Sequence, residues 1–314
     1  MSIKIGILGM GGVGGYFGGK LCRLTATPDA RVYFVARGQH LAEIRRNGLR
    51  VSTALEGEWL CRPTLATERI DELPTLDVCL VCVKSYDLKA VVQQLRPKVS
   101  ATTAILPLLN GIDIYERIRA DLGTGQVFPA CVFIGTHLAA PGRVMQQSGA
   151  RKILLGKDPQ FADVIPQQLL ALFEQSNIQH EWLEDVTAAL WTKYIFIAAF
   201  GLVTAGFDKT LGEVLDSGSL SADARAVMGE IVALSEKRGV VLPEGIITAS
   251  YAKGREFPHE TKTSFQRDVE SPEKPDERDL FGGAILRLGQ QSGVATPKTS
   301  ELWERLNRRK PFPV

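Results

Sequence analysis

A short apolar run, Lys4–Leu8 (KIGIL), leads straight into G-M-G-G-V-G-G-Y-F-G-G, and no other stretch restricts the fold of this chain so narrowly. The run reads as a strand, and Val13–Leu24, apolar at helical spacing, reads as the helix that follows. Gly9, Gly11 and Gly14 fill G-x-G-x-x-G, and each answers a separate need. Gly9 permits a tight strand-to-helix turn, Gly11 lets a pyrophosphate lie against bare backbone, and Gly14 lets the helix pack close to the sheet. Gly18 adds a further small position one helical turn on. The helix N-terminus offers free N–H groups to phosphate, and Gly12 and Val13 complete this cofactor-facing turn. Strand, turn and helix in this order are the context the motif demands, so a dinucleotide is the expected ligand.

Further strand-like runs follow at Arg31–Val35, Val78–Val83, Ala104–Leu109, Val127–Ile134 and Ile153–Leu155, mostly separated by helical or loop segments. Alternation of this kind implies a parallel sheet covered on both faces. Arg50–Thr53, Trp59–Pro63 and Arg143–Gln147 read as hairpin or edge strands. Near residue 160 the pattern changes. Pro166–Leu183, Asp185–Leu202 and the segments 220–238, 243–253 and 278–292 read as helices, and no strand is expected among them. The expected fold is α/β: an N-terminal Rossmann-type doubly wound domain at 1–180, then an all-helical substrate and catalytic domain at 181–314.

With 314 residues, 45% of them hydrophobic, the chain has enough apolar material for two cores. Lys and Arg number 37 against 35 Asp and Glu, a balance that gives no reason to expect nucleic acid or a membrane surface as partner. The longest apolar run, Tyr194–Val203, is half the ~20 residues that span a bilayer. No signal peptide precedes the first strand, and the expectation is a soluble cytoplasmic protein with a homodimer left open. Cys22, Cys61, Cys79, Cys82 and Cys131 read as reduced structural thiols. Cys79 and Cys82 lie three apart on a strand, so they face opposite ways and cannot share a metal; no metal site is expected.

Several polar residues stand out against this background. An NAD site would usually end its second strand with Asp or Glu, whereas this strand runs into Ala36-Arg37-Gly38. An arginine there can hold a 2′-phosphate in bidentate fashion, which points to NADPH. Lys84 and Asn110 each end a hydrophobic strand, where ligands of doubly wound sheets lie. Lys193 sits in A-A-L-W-T-K-Y-I-F-I-A-A-F, where nearly every neighbour is apolar. Such a lysine must snorkel, find a carboxylate or face a cleft, and in the last case it is a candidate general acid. Between 253 and 279, 14 of 27 residues are charged, which reads as a solvated surface stretch. The basic tail Arg305, Arg308, Arg309 and Lys310 reads as a solvated terminus.

The glycine turn, V-K-S after a middle strand, N-G after the next, L-W-x-K opening a helical region, and S-F-Q-R-D…P-D-E before G-G together resemble the ketopantoate reductase (2-dehydropantoate 2-reductase) family across nearly the whole chain. The resemblance implies NADPH-dependent reduction of a small 2-oxo acid, 2-dehydropantoate, to pantoate on the way to pantothenate and coenzyme A. It assigns Arg37 to the 2′-phosphate, Lys84 to the cofactor phosphate and ribose, and Asn110 to the space between nicotinamide ribose and substrate. It makes Lys193 and Glu277 catalytic and gives Ser264 the substrate carboxylate. Spacing from Ser264 selects Asp276 in place of Glu277; spacing back from Gly283 selects Glu277, if Ser271–Lys274 holds one extra residue. The family usually places asparagines one and two turns beyond its lysine, where this chain has Ile197 and Gly201. Loss of buried amides can cost roughly 10⁴-fold in discrimination where a site depends on them. Two other expectations therefore stand beside the first: a different, bulkier or less polar 2-oxo acid, or an NADPH sensor without chemistry.

Overall fold

The computed structural model describes residues 2–26, 29–271 and 274–310, with the side chain of Ala26 left aside. Two compact units emerge. One comprises Met1–Leu109 with Ile114–Val186, the other Asn110–Asp113 with Thr187–Val314.

In the first unit, β1 (Ile3–Leu8), β2 (Ala30–Val35), β5 (Leu65–Thr67), β6 (Leu76–Val81), β7 (Val99–Pro107) and β8 (Gln126–Val127) form a wholly parallel sheet in the order β5-β2-β1-β6-β7-β8. The chain crosses between them through α1 (Gly12–Leu21), α2 (Gly38–Asn47), α3 (Ser85–Leu95) and α4 (Ile114–Leu122). Order reverses about β1, the arrangement of a Rossmann-type sheet. Its strands are rich in Val, Leu and Ile, and most of their residues are buried because both faces are covered.

A second sheet, not anticipated as such, gathers the remaining strands. β10 (Arg143–Gly156) pairs along its length with antiparallel β9 (Ala130–Ala140). Its other edge takes parallel β3 (Leu49–Thr53) at residues 143–146 and parallel β11 (Gln179–Leu183) at 152–156. β4 (Gly57–Cys61) closes the outer edge as a hairpin with β3.

Helix α1 lies against both sheets, which accounts for its glycine content. On the parallel sheet, a Cβ at Gly18 would come within 3.2 Å of Ile7 and Phe34. On the mixed sheet, a Cβ at Gly12 would meet the Thr136 carbonyl at 2.8 Å and one at Gly19 would meet Val51 at 2.6 Å. One at Gly15 would collide with Val144. These four glycines therefore serve sheet packing, and the turn itself is left for a ligand. Lys20, 2% exposed, donates to the Asn177 carbonyl at 2.7 Å and pairs with Glu56 at 2.7 Å.

The second unit is helical: α6 (Thr187–Phe207), α7 (Leu211–Asp216), α8 (Gly218–Lys237), α9 (Ile246–Gly254), α10 (Ser264–Glu270), a π-helical turn at Asp279–Gly283, α11 (Ala284–Ser292) and α12 (Pro297–Arg309). No strand occurs among its described residues. α6 is apolar all round and packs against α8, α9, α10 and α12. It is long and apolar enough to cross a membrane, but 61% of its most apolar stretch is buried, as befits a core helix.

Three expectations fail. The helix expected over Pro166–Leu183 ends at Gln175, where α5 (Gln167–Gln175) stops, and β11 follows. Backbone pairing with β10 overrides the polar residues of Q-H-E-W-L, while Trp182 packs on Phe128 and His180 on Phe173. The charge-dense stretch holds α10, capped by the Thr263 hydroxyl on the Gln266 N–H at 3.1 Å, with Phe265, Gln266 and Val269 buried. The basic tail is likewise not simply solvated. Arg305 and Arg309 donate to the Gly206 and Ala205 carbonyls at the end of α6, at 2.8 and 2.6 Å. Lys310 reaches the carbonyls of Asp268, Ser271 and Lys274. The expected extra residue within Ser271–Lys274 falls partly outside the described residues.

Candidate active site

The turn after β1 is built as its sequence requires. Gly9 has φ +91°, and its N–H donates to the Val35 carbonyl at 3.0 Å. A Cβ there would meet the Cys82 backbone at 2.9 Å, so only glycine fits. A Cβ at Gly14 would collide with the Gly9 carbonyl. Gly11 caps α1 with no side-chain acceptor on the helix N–H groups, and a Cβ built on it meets nothing within 4 Å. Bare backbone, open space and the positive end of a helix fit the pyrophosphate of a dinucleotide. Val13 is half-buried beside it.

Arg37 follows β2 as the cap residue of α2 and is 72% exposed. Its guanidinium is ion-paired with Asp87, in the first turn of α3. Lys84, half-buried, caps α3 directly after β6. The residues fit the adenosine end of a nicotinamide dinucleotide, with one addition the sequence did not advertise: a carboxylate beside the arginine.

In the second unit, Lys193 donates to the Asn110 amide oxygen at 2.7 Å. Segment Asn110–Asp113 is held there a second time, by Arg287 on Asp113 at 3.3 Å, with Arg287 also paired to Asp279. Lys193 is half-buried, flanked on α6 by buried Trp191, Tyr194 and Ile195. The Tyr194 hydroxyl lies 2.7 Å from the Leu280 carbonyl and 3.0 Å from that of Phe281. It thereby fixes the π-helical turn just after Glu277, whose own carbonyl accepts the Leu280 N–H at 2.9 Å. π-Helical turns recur at functional sites because they re-aim side chains. Tyr194 escaped the sequence reading; its only signal was adjacency to Lys193.

Glu277 is 6% exposed and Asp276 4%. Burial works against the Asp276 charge, but Arg278 holds its carboxyl below the usual range. The guanidinium donates to both oxygens, at 2.8 and 2.7 Å, and is itself fully buried and tied to Asn307. Asp276 is thus held by Arg278 through two parallel hydrogen bonds. Ser264 is exposed at the start of α10, whose cap residue Thr263 is joined to Thr204 of α6 at 2.9 Å. Ile197 is half-buried. At Gly201 a Cβ would sit 3.5 Å from Phe265, whose ring lies 4.8 Å from that of Phe281. Aromatic carbon borders this position.

A parallel nucleotide-type sheet followed by a helical unit with a lysine–asparagine pair defines a dehydrogenase-like class of two-unit oxidoreductase. Residues 5–160 match the family model described as ketopantoate reductase PanE/ApbA, and residues 185–310 match its C-terminal counterpart. The chain belongs to the ketopantoate reductase family, whose members work with a nicotinamide cofactor. It is 26% identical over 307 residues to the uncharacterised oxidoreductase YkpB of Bacillus subtilis, covering 97% of this chain and 98% of the relative. A PanE/ApbA family ketopantoate reductase from Ralstonia eutropha JMP134 is similar in structure, with TM-score 0.86, 27% identity and 98% of each chain covered. D-mandelate dehydrogenase, solved with NADH and anilino(oxo)acetate, shares the fold at TM-score 0.83 and 20% identity, again over 98% of each chain.

Proposed function

We propose that the protein is an NADPH-dependent 2-oxo acid reductase whose substrate is 2-dehydropantoate, reduced to pantoate for pantothenate and coenzyme A synthesis in the cytoplasm. The observation that carries this reading is the 2.7 Å hydrogen bond from Lys193 to Asn110, which aims an ammonium from an apolar helix at the polar end of the segment after β7. Bound nicotinamide dinucleotide supplies the hydride. Lys193 holds a proton at the ketone oxygen, where negative charge develops and a fixed cationic donor is most effective. Asn110 orients the ammonium and the ketone together, which saves orientation entropy. Glu277 receives a hydrogen bond from the new hydroxyl or from Lys193, and Ser264 donates to the substrate carboxylate. Gly11 and the first turn of α1 receive the pyrophosphate, Lys84 its neighbouring ribose and phosphate, and Arg37 the 2′-phosphate.

A second reading has its own observation. Ile197 and Gly201, the latter bordered by Phe265, favour a 2-oxo acid with a less polar side chain than 2-dehydropantoate, which carries a hydroxyl. Oxidation of NADPH, and of NADH in parallel, is measured across a panel of 2-oxo acids. A kcat/KM highest for 2-dehydropantoate supports the first reading, and one highest for a branched or aromatic 2-oxo acid supports the second. No oxidation with any member refutes both.

A further inference from the structure

We propose that Asp87 is a specificity-determining residue for the cofactor, because its carboxylate sits against the Arg37 guanidinium and repels a 2′-phosphate held there, which weakens the preference for NADPH over NADH. The inference rests on the reading of Arg37 given above. Arg37 stands at the β2–α2 junction in extended backbone, with its guanidinium outward and one terminal nitrogen on the Asp87 carboxylate. Asp87 is the less mobile partner. It is 25% exposed, belongs to the first turn of α3, and its N–H donates to the Lys84 carbonyl at 3.0 Å. The helix N-terminus favours a carboxylate at that place.

Exposed ion pairs are weakly held, so Arg37 exchanges its partner at little cost. The Asp87 carboxylate, fixed to its helix, stays within one ion-pair length of whatever Arg37 holds. A 2′-phosphate there meets a like charge at short range, where Coulomb repulsion is still substantial near a protein surface. A 2′-hydroxyl meets an acceptor instead, as it does on the acidic residue of NAD sites. The two residues together form a reader that serves either dinucleotide: the arginine for the phosphorylated ribose, the aspartate for the plain one.

The test measures dissociation constants of NADPH and NADH by titration calorimetry, without substrate, for the wild type, Asp87→Asn and Arg37→Ala. Asp87→Asn is expected to raise the ratio of NADPH to NADH affinity about tenfold, or about 1.4 kcal/mol, and Arg37→Ala to lower it about as much. If Arg37→Ala lowers the ratio while Asp87→Asn leaves it within about twofold of wild type, the role given to Asp87 is overturned and the nucleotide reading stands. If Arg37→Ala leaves the ratio unchanged, the assignment of Arg37 falls, and the inference falls with it. Both positions are exposed or half-exposed, so unchanged melting temperatures confirm that each variant is folded.

Discussion

Helices α1 and α6 are the buried centres of their respective units, and they solve the problem of burial in opposite ways. α1 carries glycine on every face that meets a sheet, so that strands approach its backbone directly. α6 carries aromatic and branched side chains and keeps its neighbours at side-chain distance. Each holds one lysine. Lys20 is 2% exposed and closes an ion pair with Glu56; Lys193 is half-buried and donates to a neutral amide. The contrast teaches that a lysine in an apolar helix is not in itself a functional signal. What separates the two in the structure is their setting: Lys20 is sealed against Glu56, whereas Lys193 is half-buried and reaches the Asn110 amide oxygen beyond β7.

Replacement of the two lysines is the sharpest way to break that distinction. Lys193→Met is expected to lower kcat by about 10²–10⁴-fold, the range for a lost general acid, with NADPH affinity and melting temperature unchanged. Equal losses in kcat and NADPH affinity would show that Lys193 is structural, as Lys20 is. Gly14→Ala, which drives a Cβ into the Gly9 carbonyl, should destabilise the protein by about 3 kcal/mol in urea titration and abolish dinucleotide binding. Lys20→Met leaves the Asn177 carbonyl without its donor and Glu56 with Arg23 as its remaining cation, and should cost about 1–3 kcal/mol with kcat retained. Gly201→Ala is the smallest effect and has the opposite sign to Gly14→Ala. Its Cβ has 3.5 Å of room beside Phe265, so relief of the glycine entropy cost in a helix interior should stabilise by about 0.5–1 kcal/mol. A loss of stability there would mean that α6 also depends on glycine at close quarters.

The same two helices show how far the sequence could be read. β1, its turn and α1 were legible because the glycines, the strand and the helix each imposed a separate requirement, and all three agreed. α6 was legible from composition alone. The mixed sheet was not. β9 and β10 alternate buried and exposed residues only in part, with bulges between Gln146 and Lys152, and their partner β3 lies far back in the chain. Long-range pairing leaves no local period to detect. The candidate catalytic residues were legible as types, but Asp87, Tyr194 and Arg278 were not, since the first two act on partners remote in sequence and the third folds back onto Asp276 in a way no motif records. That the Arg278 guanidinium grips Asp276 was likewise visible only in the structure.

The pairing of β10 with β3 has a consequence for how the chain is made. Roughly ninety residues separate Arg50 from its partner Arg143, so the β3–β4 hairpin leaves the ribosome long before the strand that anchors it. Until then Gly15 of α1 lacks the Val144 side chain it packs against, and the inner edge of β3 has no strand to pair with, which leaves it open to other chains. Slowing translation ahead of residue 143 should therefore lengthen the chain's dependence on chaperones more than slowing it after residue 183.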